Sequence, residues 1–250
     1  MRPVRLVVRA LAVAALAVGG LIAMGAGTAG SDGVVQATAG TEPASRPSAQ
    51  PAWSLPSPRP AGAYLIGRVT GPLRTTAGVV MPHTALGNET WLLIVRHDGT
   101  HGTALVPTGG QPVRARVDLT RLRLRWTPIE VDVDLGTLRL RVLSGRRVLG
   151  AFPLAAGMPA TPTPTGRFSV TDRVRFPSGS SYGTFALGLS AHQAHVLPAW
   201  PGGDQIAIHG TPHPESIGHY ASLGCIRVTP SALRLLRRVV PLGAPVVIHR

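Results

Sequence analysis

The chain has 250 residues, enough for one large domain or two small ones, and 44% are hydrophobic, so a packed core can form. Only 14% are charged and 4% aromatic, and 30 glycines with 24 prolines favour turn-rich β structure over long helices. The net charge of +14 rests on 25 arginines without a lysine; it suits an anionic partner, while the lack of a compact basic tract with interleaved aromatics argues against nucleic acid.

In chain order, basic "MRPVRLVVR" precedes apolar "ALAVAALAVGGLIAMGAG", and small-residue cleavage sequences follow at Ala37–Ala39 or, as a rival, Gly27–Ala29. This is the order of a secretory signal. The run from Ala10 to Gly30 is also long enough, at ~20 residues, for an uncleaved anchor. Residues 1–30 are therefore read as a signal peptide or membrane anchor, with the rest of the chain exported to the outer face of the membrane or the wall. Residues 31–60 are rich in Pro, Ala and Ser, lack apolar periodicity, and are expected to form an extended linker.

From residue 61 to 128, "YLIGRVT", "TWLLIVRH", "TALVP" and "VRARVDLTRLRLRW" are β-branched or alternate with period two. "HDGT" at His97–Thr100 is a hairpin-type turn. These predict a small β module of SH3-like type. A second strand set fills 129–250. Leu138, Leu140 and Val142 share one face there, and Arg139 and Arg141 the other. "TPTPTGRFSV" (Thr161–Val170) reads as a proline-stiffened turn entering a strand, and "SYGTFALGLS" and "DQIAIHG" as further strands. "SALRLLRRVVPLG" is the one helix, with Ser231 at its start, an apolar stripe of Leu233, Leu235, Leu236 and Val240, and Pro241 as its stop.

Cys225 is the only cysteine. The bland reading is a small buried hydrophobe; in an exported chain an unpaired cysteine also signals a reactive thiol. Its surroundings, "IAIHGTPHPESIGHYASLGCIRV" (Ile206–Val228), hold the parts for acyl transfer. A thiolate is the nucleophile, and a nearby imidazole or helix N-terminus would lower its pKa. His209 ends an apolar strand and is the base candidate. Gly224 permits close backbone approach, so that amides near Gly224 and Cys225 could face an oxyanion. Arg227 lies two residues past the thiol and, in an extended segment, on its side. His213 and His219 read as loop decoration. A zinc site from His209, His213 and Cys225 lacks any paired-ligand spacing.

His209 precedes Cys225 by 16 residues. That order opposes papain-like and NlpC/P60-like enzymes, and sortases use a longer gap and a different cysteine motif. The stretch resembles the signature of the L,D-transpeptidase (YkuD-type) family: a strand-end His209–Gly210, then Ser222-Leu223-Gly224-Cys225-Ile226-Arg227. "IEVDVDLGTLRLRVLSGRRVLGAFPLAAG", "TPTPTGRFSV" and "SYGTFALGLS" are similar to further family segments in the same order, so the resemblance covers about Ile129–Arg250. The preceding β module resembles N-terminal regions of some actinobacterial members. Many members carry a second histidine where Leu223 stands, which leaves His209 as the base.

The resemblance implies a mainly β catalytic domain, a capped mixed sheet with one helix towards the C-terminus. It implies a monomeric acyltransferase acting on peptidoglycan stem peptides in the anionic wall, forming 3→3 crosslinks through a Cys225 thioester, with neither metal nor cofactor. His209 would be base and then acid, and Ser222 would order the loop. Arg227 would anchor substrate, Gly210 and Gly224 would shape the site, and Tyr182 and Gly183 would line the groove. An L,D-carboxypeptidase using water as acceptor, a sortase-like transpeptidase and a non-catalytic wall-binding protein are the alternatives.

Overall fold

The structure, a computed structural model, describes residues 54–195 and 203–250; the signal or anchor segment and most of the linker lie outside the described residues. Among the described residues no helix is long and apolar enough to cross a membrane.

The first sheet comprises β1 (Tyr64–Val69), β4 (Trp91–Asp98), β5 (His101–Val106), β6 (Val113–Asp118) and β7 (Leu122–Thr127), with a small hairpin of β2 (Leu73–Thr75) and β3 (Gly78–Val80) inserted after β1. All its pairings are antiparallel, in the order β6-β5-β4-β1-β7. The run "VRARVDLTRLRLRW" is two strands rather than one. The Thr120 N–H donates to Asp118 Oδ1 at 2.9 Å and caps a tight turn at Leu119–Arg121, which carries the chain from one sheet edge to the other. The end of the stretch read as linker is packed: the Trp126 indole N–H donates to the Pro56 carbonyl at 2.6 Å, and Leu55 lies against the same core as Trp126.

The second sheet contains β8 (Ile129–Asp134), β9 (Arg139–Ser144), β10 (Arg147–Gly157), β11 (Gly166–Arg175), β12 (Phe185–His192), β13 (Gln205–His209), β14 (Tyr220–Ser222), β15 (Ile226–Val228) and β16 (Pro245–His249). Its order is β14-β10-β15-β13-β12-β11-β16-β8-β9, and β10 also pairs with β9. The early part of β10 bonds β9 and its end bonds β15 and β14. The sheet therefore bends round and closes on itself, which buries Val131, Leu140, Leu154, Leu187, Ile208 and Ile226 completely. Pairings β10–β14, β13–β15 and β8–β16 are parallel, so the sheet is mixed and the protein mainly β. The alternation expected for 138–142 holds: Leu140 and Val142 are fully buried while Arg139 and Arg141 face outward.

The single helix among the described residues, α1, spans Pro230–Val239. Its cap is Thr229, not Ser231. The Ala232 N–H donates to Thr229 Oγ1, and Pro230, with its fixed φ and missing N–H, suits the first helical position. Ala232, Leu233 and Leu236 face the core and Ser231 is exposed.

The two sheets meet at Asp172, which is 3% exposed. From the β3–β4 connection, the Thr84 hydroxyl donates to Asp172 Oδ1 at 2.6 Å and the Asn88 amide at 3.2 Å; Gln205 on β13 donates to Oδ2 at 3.3 Å. Asn88 Oδ1 in turn accepts the Arg173 N–H. Removing the carboxylate leaves the Thr84 and Asn88 donors short of an acceptor, while Gln205 keeps Thr171 Oγ1 and the Leu189 carbonyl. Asp172→Ala is therefore expected to lower stability by about 2–4 kcal/mol in denaturant unfolding, with Asp172→Asn closer to wild type because one oxygen still accepts.

Candidate active site

β13 and β15 run parallel with Ile208 opposite Ile226 and His209 opposite Arg227. Side chains alternate along a strand, and residues in register on neighbouring strands point the same way. Ile206, Ile208, Ile226 and Val228 are at most 1% exposed and fill the core. Ala207, His209, Cys225 and Arg227 consequently share the other face. On that face β12 places Ala186 opposite His209 and Gly188 opposite Ala207, so no long side chain rises from it beside the imidazole.

The sulfur is held by β13 backbone. The Ala207 N–H donates to Cys225 Sγ at 3.4 Å, and the thiol lies 4.0 Å from the Gln205 carbonyl. Burial pushes the Cys225 pKa up, against the lowering by the Ala207 N–H and the Arg227 charge. The expected help from the helix is missing. β15 separates Cys225 from α1, and a helix dipole acts within about one turn of its end. The expectation of a lowered thiol pKa is thus reversed in the resting protein: burial outweighs the nearby donors.

His209 is 5% exposed. Its Nδ1–H donates to the Gly210 carbonyl at 2.5 Å. A carbonyl only accepts, so this bond fixes the tautomer and leaves Nε2 with the free lone pair. Burial, joined by the Arg227 charge, lowers the His209 pKa to about 4. The Tyr182 ring meets the imidazole edge-on with centroids 4.9 Å apart and stacks on Phe176 at 5.2 Å. Burial and the Cys225 charge raise the Tyr182 phenol pKa. Gly183, at φ +67°, permits this approach, since a Cβ there would lie 2.9 Å from Gly210 Cα.

Ser222 and Gly224 form a locked turn. The Ser222 hydroxyl accepts the Gly224 N–H at 3.1 Å and donates to the Cys225 carbonyl at 2.5 Å. The Gly224 amide is therefore engaged and not free for an oxyanion; the Cys225 amide makes no hydrogen bond among the described residues and is the remaining donor. At φ +118°, Gly224 also lies against Gln193, where a Cβ would come within 2.4 Å of Nε2.

Three further residues hold this turn. The Thr163 hydroxyl accepts the Gly157 N–H at 2.9 Å and donates to the Gly224 carbonyl at 2.7 Å. Thr161 donates to the Ser222 carbonyl at 3.3 Å. Gln193 donates to the carbonyls of Pro162 and Leu223. "TPTPTG" is thus a brace for the cysteine turn. Its two buried threonines carried a signal in their repeat, whereas Gln193 has no motif. His213 is exposed, pairs with the exposed Glu215, and is not grouped with the site. His219 is exposed as well.

The model of the YkuD-type L,D-transpeptidase catalytic domain matches residues 128–248. A Bacillus subtilis protein described as the L,D-transpeptidase YkuD is 35% identical over 123 residues, 49% of this chain and 67% of the relative. The chain belongs to the YkuD family of L,D-transpeptidase catalytic domains. A second Bacillus subtilis relative, YqjB, is 31% identical over 47% of this chain and 69% of its own length. The chain thus spans about two thirds of these relatives. Among solved structures, an L,D-transpeptidase of Mycobacterium tuberculosis superposes with TM-score 0.43 at 16% identity, over 76% of this chain and 91% of that one. One of Mycobacterium smegmatis gives 0.41 at 15%, over 77% and 100%. The span matched by the L,D-transpeptidase model contains β8 to β15, α1 and the whole Cys225–His209–Arg227 face, and ends within β16.

Two outcomes follow from this site. The folded His209 pKa is depressed, so between pH 6.5 and about 4 the unfolded chain takes up a proton that the folded one refuses. Stability attributable to His209 is complete above pH 6.5 and falls by about 3 kcal/mol as the pH drops to about 4, at about 1.4 kcal/mol per pH unit. Denaturant unfolding across this range should be steeper in wild type than in His209→Asn. Thr163→Val removes a donor and an acceptor at once and should slow acylation of Cys225 by a carbapenem about tenfold or more, because a small displacement of a reacting atom is enough.

Proposed function

We propose that the chain is a peptidoglycan L,D-transpeptidase that works outside the cytoplasmic membrane, with Cys225 as nucleophile and His209 as its proton partner. The observation that carries this reading is the shared face of Cys225, His209 and Arg227 within the family-matched span. The substrates are tetrapeptide stems, and the product is a 3→3 crosslink.

The raised thiol and lowered imidazole favour a resting pair of neutral S–H and neutral imidazole. Attack and proton transfer are then coupled. Nε2 of His209 takes the proton as Sγ bonds to the carbonyl carbon between the L-centre of diaminopimelate and the terminal D-Ala. The oxyanion meets the Cys225 N–H. Burial and Arg227 both disfavour the imidazolium, so it is a strong acid and gives its proton readily to the D-Ala nitrogen. The C–N bond breaks, D-Ala leaves, and a thioester remains. The side-chain amine of a second stem attacks it, His209 takes the amine proton and returns it to the departing sulfur. Arg227 lowers the pKa of both partners, which favours sulfur ionisation without trapping the imidazolium. Tyr182 and Gly183 wall the groove beside the imidazole, and Ser222, Gly224 and Gly210 hold its backbone.

Incubating the purified chain with diaminopimelate tetrapeptide stems should yield 3→3 dimers by mass spectrometry, and Cys225→Ala should yield none. His209→Ala should slow carbapenem acylation by about 10²- to 10⁴-fold near neutral pH and recover in part when alkali ionises the thiol. Undiminished acylation in His209→Ala would refute the base assignment.

A further inference from the structure

A second cleft, of about 510 Å³, lies where the first sheet meets β11 and takes no part in the chemistry above. Four arginines line it: Arg59, Arg96 and Arg114 from the N-terminal module and Arg167 from the start of β11. All four are exposed, and none has a carboxylate within ion-pair distance among the described residues. Elsewhere arginines do find acids: Arg68 pairs with Glu89, and Arg141 with Asp132. Like charges repel one another, so four unpaired guanidinium groups around one cleft are a standing cost unless an anion enters.

Two of the four are held in advance. The Arg59 guanidinium lies 5.0 Å over the Trp126 ring and that of Arg167 lies 5.9 Å over the Tyr64 ring. Each ring is anchored at its polar end, Trp126 by the Pro56 carbonyl and Tyr64 by Glu130. A cation resting on a fixed aromatic face loses less freedom when it binds. The arginine fork matches phosphate and carboxylate oxygens. Between the arginines the cleft is lined by the Tyr64 and Trp126 rings and the exposed Val95. A cleft whose separated cations flank aromatic and aliphatic side chains suits an anion whose charges alternate with uncharged carbon. It exceeds what one phosphate ion fills.

We propose that this cleft is a second binding site, for a base-free phosphodiester polymer with short polyol spacers, and that it holds the enzyme at its place of work. The choice of an extracytoplasmic polymer rests on the wall function proposed above; the oxyanion chemistry of the cleft does not. Arg167 lies in the part of β11 that pairs with β16, whereas the thiol and imidazole lie on the strands beyond β12. Binding and acylation are therefore separable.

The test is titration of the full chain with a glycerol-phosphate oligomer, alongside inorganic phosphate, poly-glutamate and single-stranded DNA of equal charge. The oligomer should bind most tightly. Arg59→Ala, Arg114→Ala and Arg167→Ala should each weaken it about threefold to tenfold, with the Lys variants in between. The double change Arg234→Ala/Arg238→Ala on exposed α1 positions removes as much charge as two of these and should leave binding unchanged. Carbapenem acylation of Cys225 should be the same in all these variants, which keeps this result apart from the fate of the transpeptidase reading. Equal weakening by the α1 control would assign the binding to net charge and overturn the proposal. So would tighter binding of poly-glutamate or DNA, or phosphate alone matching the oligomer.

Discussion

The parallel register of β13 on β15 is the constraint on which the rest of the structure depends. Ile208 and Ile226, opposite each other and fully buried, commit one face of both strands to the core. A slip of one residue would turn His209 and Arg227 into the apolar core and two isoleucines out of it, at a loss of several kcal/mol, so the register is strongly specified. The same constraint that makes the core makes the site. Cys225, just before β15, falls beside the Ala207 N–H, and the imidazole falls two residues along on the same face.

What that register leaves open is the turn that delivers the sulfur. Gly224 sits at a φ that side chains rarely adopt, and both its backbone groups are bonded to hydroxyls, its N–H to Ser222 and its carbonyl to Thr163. A left-handed residue persists when its surroundings over-determine it. Thr161, Thr163 and Gln193 supply that determination from thirty or more residues away in the chain, which ties the entrance of β11 and the end of β12 to Cys225. The electrostatics are of one piece with this packing. A dry, tightly braced site disfavours both charged forms of the pair, and the Arg227 charge lowers the pKa of each.

Much of this was legible in the sequence, and the limits were physical. Period-two alternation around Leu138–Val142 marked the strand faces, because a half-buried strand writes its exposure into its residues. The spacing from His209–Gly210 to Cys225 and Arg227 marked side chains that the fold brings to one face. Tertiary hydrogen bonds leave no such trace. Nothing local shows that the Gly224 amide is taken by Ser222, that β15 stands between the thiol and α1, or that Thr229 rather than Ser231 caps the helix. The closing of the sheet through the two ends of β10, and the role of Asp172 between the two sheets, are likewise contacts between distant residues. The arginine cleft is of the same kind: Arg59, Arg114 and Arg167 are far apart in the chain and look like ordinary surface charge until folding gathers them.

In the proposed reaction Cys225 becomes acylated at the expense of the bond to the terminal D-Ala. This step is tested most directly by mixing the chain with a tetrapeptide stem whose own side-chain amine is blocked, so that no acceptor is present. Intact-protein mass spectrometry with peptide mapping then follows the thiol. The expected result is a mass gain equal to the tripeptide acyl group, located on Cys225, with one equivalent of D-Ala released. Release of D-Ala and turnover to product by a chain in which Cys225 is already alkylated would contradict it.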